Sequence, residues 1–78
     1  MIELKLDKIK EVNYDNYLIT ELENGTIKIK ENGKDIDKTM PILIKIAKKM
    51  NLSILNSNGN KYNTRQLGSN IIKILEGR

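Results

Sequence analysis

Neither cysteine nor histidine occurs in this sequence of 78 residues. Without thiol or imidazole, the usual ligand sets of zinc, haem and iron–sulfur sites are missing. The commonest general base and the Cys and Ser–His nucleophile schemes go with them. A disulfide is ruled out. Tryptophan and phenylalanine are absent too, leaving Tyr14, Tyr17 and Tyr62 as the only aromatics. A base-stacking platform displays two or three rings on one sheet. Only Tyr17 falls on an alternating segment, so core or edge roles are expected for these rings. The ten carboxylates are scattered. Glu21, Glu23, Asp35 and Asp37 sit in strand or turn patterns, with no EF-hand ladder, Walker loop or GxGxxG turn. Nothing sets a base beside a nucleophile. No catalysis, no cofactor and no metal is therefore expected.

Long apolar runs are also lacking. No stretch approaches the roughly 20 residues that span a bilayer, so no membrane role is expected. Met1 is followed at once by the alternating "IELKL", not by the apolar run of a secretory leader. A cytoplasmic location is the default expectation.

Isoleucine, lysine and asparagine are abundant, together 35 of the 78 residues, against one alanine and two arginines. The net charge of +4 rests on twelve lysines and invites a polyanionic partner. The same three residues are what AT-rich codons encode. A bacterial or phage genome of that composition is expected, and it would account for part of the lysine excess without any selection for phosphate. At this length one domain is expected over residues 1–78, with a core that supplies only a few kcal/mol of net stability.

Periodicity gives the fold class. "IELKL" and "YLITEL" (17–22) alternate as half-buried strands do. The polar stretch from Asp7 to Asn16 reads as a loop, with room for a short strand at Lys8 to Val12. Asn24-Gly25 and Asn32-Gly33 each separate alternating runs. Both predict tight hairpins, since a type I′ turn needs positive φ at both central residues. Residues 17–37 thus read as a three-stranded antiparallel meander.

The period then changes. Leu43, Ile46, Ala47 and Met50 form one helical stripe. Pro41 suits the helix start, Thr39 is available as its cap, and Asn51 is placed to end it. "LSIL" (52–55) is a short apolar run able to add a strand, and "NSNGN" is a turn. Thr64 is expected to cap a closing helix that runs to about Leu75. The expected architecture is α+β: an antiparallel sheet of three to four strands followed by two helices packed on one face. Its core is expected from Leu4, Leu18, Leu22, Ile27, Ile29, Leu43, Ile46, Ala47, Met50, Leu67, Ile71, Ile74 and Leu75. Gly68 sits inside the closing helix at a cost of about 1 kcal/mol relative to alanine. Close approach to the other helix or to the sheet is the expected compensation.

Two surfaces are candidates for function. On the closing helix, Arg65, Gln66, Ser69, Asn70 and Lys73 share one exposed face. Arg pairs with guanine, Gln and Asn with adenine, and Ser and Lys with phosphate. On the first helix, Lys45, Lys48 and Lys49, together with Lys38, make a basic face. The plain alternative for both is the solvated side of an amphipathic helix. "LIKIAKKMNLS" resembles the opening half of a helix-turn-helix unit. Ala47 stands at the small packed position, Asn51 at the turn and Leu52 just after it. A recognition helix would begin two or three residues later, whereas the next helical pattern starts only near Thr64. The order "I.I..NGK", "L..IAK", "NTRQLG..II..L", over residues 26–75, resembles small uncharacterised bacterial and phage proteins. That resemblance implies shared architecture and carries no activity. The functional expectation is a small non-catalytic DNA-binding or DNA-associated module. The alternative is an interaction module for a protein partner, joined at the sheet edge by β-augmentation. Monomer and homodimer are both open.

Overall fold

The computed structural model describes residues 7–77. Four strands, β1 (Lys8–Tyr14), β2 (Tyr17–Leu22), β3 (Ile27–Glu31) and β4 (Lys34–Asp35), precede two helices, α1 (Thr39–Lys49) and α2 (Thr64–Glu76). The sheet is an antiparallel meander in the order β1-β2-β3-β4. Both helices pack on one face, as the periodicity predicts. The strand expected at "IELKL" and the core position Leu4 lie outside the described residues.

The stretch expected to be mainly loop is a strand over its full length to Tyr14. Val12 and Tyr14 turn inward against the core, while Glu11 and Asn13 face solvent. Ile9 sits where the β1–β2 register shifts between Lys8 and Lys10, and this bulge leaves it 55% exposed. Bulges and lysines are what natural sheets use to blunt an edge. Among the described residues β1 ends the sheet and carries both, the bulge at Ile9 and the lysines Lys8 and Lys10.

The two Asn-Gly pairs make different turns. At Asn32-Gly33 both residues have positive φ (53° and 84°), which fits the expected type I′ turn. At 24–25 only Gly25 does, at φ 87°. Gly25 N–H donates to Leu22 O and Leu22 N–H donates to Thr26 O. The connection is therefore a three-residue loop with a glycine bulge, not a type I′ turn. The Asn24 side chain accepts from Thr26 N–H, and its backbone φ is not positive.

The face of β2 that meets the helices is Tyr17 and Ile19, not Leu18. Register decides this. Ile19 lies between Val12 and Ile29, whereas Leu18 lies between Asn13 and Lys30. Leu22 is buried, but with Thr20 on the opposite side of the sheet, outside the main core cluster. That cluster joins Tyr17, Ile19, Ile27 and Ile29 to Leu43, Ile46 and Ala47 of α1 and Leu67, Ile71 and Ile72 of α2. Met50 and Leu75 are half-buried at its margin. Ile74, an expected core residue, is exposed, and Ile72 takes its place.

The helix ends also revise the expectations. Lys38 flanks the start of α1 and makes no side-chain cap; Thr39 is already helical. Pro41 falls in the first turn, where its missing N–H costs no helical bond. At the other end Asn51 adopts φ 57°. Its N–H donates to Lys48 O and that of Leu52 to Ala47 O, a Schellman arrangement. Asn63, not Thr64, caps α2. Its side chain accepts from Gln66 N–H, and the Gln66 side chain accepts from Asn63 N–H, a reciprocal capping box.

Between the helices no recognition helix follows Asn51, so the helix-turn-helix likeness ends at the turn. Residues 53–62 instead fold back on themselves. Leu55 and Lys61 form an isolated bridge, not the strand expected from "LSIL". The Asn56 side chain accepts from the N–H groups of Asn58 and Asn60. Gly68 makes the close approach expected of it, and its neighbour is the sheet. A Cβ there would stand 2.5 Å from Cγ1 and 2.8 Å from Cδ1 of Ile27. No helix of the described residues is long and apolar enough to cross a membrane.

Candidate nucleic-acid interface

The helical repeat puts Leu67, Gly68, Ile71 and Ile72 against the core. The same repeat turns Arg65, Gln66, Ser69, Asn70 and Lys73 outward together. In the folded chain these five line one open groove. Three further residues complete it: Glu21, Gly25 and Tyr62. Glu21 follows Tyr17 and Ile19 on the helix-covered face of β2, so its carboxylate comes out beside α2. Gly25 belongs to the β2–β3 loop. The Arg65 side chain lies over it, and a Cβ at Gly25 would be 3.5 Å from Arg65 Cδ. Tyr62 immediately precedes the Asn63 cap and is half-buried, packed against the core while also lining the groove.

The groove holds two cations, Arg65 and Lys73, and one carboxylate, Glu21. Neither cation forms an ion pair among the described residues. Asn70 is half-buried and makes no side-chain hydrogen bond among the described residues. Gln66 is different. Its Oε1 accepts from Asn63 N–H at 3.1 Å, leaving Nε2 as a donor only. A bidentate contact to adenine needs both ends of the amide. Gln66 can make one only by giving up the cap.

The four lysines do not join this surface. Lys38, Lys45, Lys48 and Lys49 are exposed along one side of α1, and none lines the groove. Lys49 Nζ lies 3.5 Å from Asp15 Oδ2 in the β1–β2 turn. Arg65 sits at the β2–β3 loop, at the other end of β2. Six strand residues separate those ends by roughly 20 Å. The pair itself is exposed, of the kind worth about 0–1 kcal/mol.

Sequence reasoning thus found the five helix residues and missed Glu21, Gly25 and Tyr62 as their companions. For Glu21 and Gly25 no local signal exists, since the sheet carries them there. The distinctive "NTRQLG" segment is largely architectural: Asn63 and Gln66 cap, Leu67 fills the core, and Gly68 admits Ile27. Comparisons of the chain with family models, with curated proteins and with solved structures gave no match.

Proposed function

We propose that this chain is a small non-catalytic DNA-binding module whose contact surface is the groove along α2. The observation that carries the reading is the convergence of Arg65, Gln66, Ser69, Asn70 and Lys73 on one open surface. Arg65, Lys73 and the Ser69 hydroxyl supply phosphate contacts. Asn70 offers a donor and an acceptor to a base edge, and Glu21 accepts from an exocyclic amino group. The lysines of α1 stand apart and are assigned no part. The alternative, a protein partner adding a strand at the sheet edge, is disfavoured at β1 by the bulge at Ile9 and by Lys8 and Lys10, and at β4 by its length of two residues.

The charge count sets the expected size of the salt effect. Two phosphate contacts give a slope of log affinity against log salt of about −1.8 on duplex and about −1.4 on single strands. Fluorescence anisotropy with labelled DNA over a potassium chloride series measures it. The joint Arg65→Ala, Lys73→Ala variant is expected to flatten the slope and weaken binding about tenfold or more at low salt. A Lys45→Ala, Lys48→Ala variant is expected to bind within about twofold of the parent. Affinity no tighter than that of an unrelated protein of equal size and charge refutes the reading. So does a loss confined to the α1 variant.

A further inference from the structure

Resting on the groove being a DNA site, we propose that its ligand is single-stranded DNA, with an unpaired base stacked on Tyr62 and its edge met by Asn70 and Glu21. Three observations point the same way. The first is shape. A helix that reads duplex DNA enters a major groove about 12 Å wide, which its own 10–12 Å diameter nearly fills. Its first turn, where base contacts are made, must stand clear on both flanks. The first turn of α2 does not. The Gly25 loop lies against Arg65, and Tyr62 with the fold-back of residues 53–62 leads directly into the cap. To bring this turn into a major groove, a duplex has to clear both segments. A single strand needs no such clearance.

The second observation is the ring. Tyr62 is the one aromatic of the groove. Stacking on a side chain needs a bare base face, which duplex stacking hides and a single strand offers. The third is the carboxylate. Glu21 in the groove opposes a phosphate but accepts from the amino groups of cytosine and adenine. Bases inside, with the backbone outside on Arg65 and Lys73, satisfy both signs of charge. A cation count of two leaves stacking and edge contacts as the main sources of affinity.

The test compares equal-length oligo-dC and oligo-dT with a blunt duplex, by anisotropy on the full chain. Single strands are expected to bind at least about tenfold tighter than duplex, and oligo-dC tighter than oligo-dT. Tyr62→Phe is expected to bind like the parent. Tyr62→Leu, which keeps apolar contact with the core, is expected to lose about five- to a hundredfold, the range for one stacked base. Tyrosine emission gives a readout that needs no variant, since the chain has three tyrosines and no tryptophan. Single strands are expected to quench it and duplex to leave it unchanged. Duplex binding equal to or tighter than single strands, or unquenched emission at saturation, overturns this inference and leaves the DNA-binding reading standing. Binding of neither form beyond a basic control overturns both.

Discussion

Replacing Ile72 by alanine is expected to destabilise the domain by about 2–5 kcal/mol, the usual cost of emptying a fully buried aliphatic site. Ile72 is 0% exposed in the core cluster, whereas Ile74, two residues on, is 38% exposed. Ile74→Ala is therefore expected to cost under about 1 kcal/mol, most of it recovered through alanine's helix propensity. In a domain of this size each kcal/mol moves the melting temperature by about 4–8 °C. Ile72→Ala should consequently melt more than about 10 °C below the parent, or fail to fold, since a domain this small has only a few kcal/mol of net stability. Thermal melts followed by circular dichroism decide it. Equal losses from both variants, or a larger loss at Ile74, contradict the packing of α2 described above.

The second large effect is at Gly68. Helix propensity alone says that alanine there stabilises by about 1 kcal/mol. Packing says the opposite. The added Cβ would overlap Cγ1, Cδ1 and Cγ2 of Ile27 at 2.5, 2.8 and 3.0 Å. Ile27 is itself 4% exposed and belongs to the core cluster, so it has no free direction in which to move. Overpacking of this kind costs about 1–3 kcal/mol, and with α2 lifted off β3 the upper part of the range is expected. Gly68→Ala should thus be destabilising in urea unfolding. In an Ile27→Ala background, where the overlapping atoms are gone, the same change should be neutral or stabilising. That reversal of sign separates close approach from any general intolerance of the site. A stabilising Gly68→Ala in the parent contradicts the contact.

These two residues show which parts of the structure the sequence carries. Gly68 was legible because a mid-helix glycine needs a reason and the apolar stripe beside it supplies one. Its partner, Ile27, was not, because nothing local says which strand α2 crosses. Ile72 and Ile74 are both isoleucines within half a turn of the stripe's edge. Only the placement of α1 and the sheet decides which is covered. β2 repeats the difficulty in a strand. Tyr17 and Ile19 occupy one parity, Leu18 and Leu22 the other, so alternation fits either face. The neighbours Val12 and Ile29 break the tie, and they are contributed by other strands. The true cap of α2 is legible in the sequence. Asn63 with Gln66 three residues on spells a capping box, and Thr64 has no such partner.

The candidate site divides along the same line. The five side chains of α2 share a face by helical repeat alone, so sequence placed them together. Their shared groove with Tyr62, Gly25 and Glu21 depends on where the β2–β3 loop meets the helix. The α1 lysines also share a face by repeat, and no tertiary contact carries them to the groove. Basic composition was therefore a poor guide to this groove, since only two of the cations, Arg65 and Lys73, line it.

The most direct test of the α2 groove as the contact surface is a titration of the 15N-labelled chain with a short single-stranded oligonucleotide, followed by amide chemical shifts. The changes are expected at Gly25, Tyr62, Arg65, Ser69, Asn70 and Lys73, with Lys38 and Lys45 to Lys49 unmoved at the same saturation. Shifts confined to α1, or spread evenly over the lysines of both helices and the sheet, contradict the account.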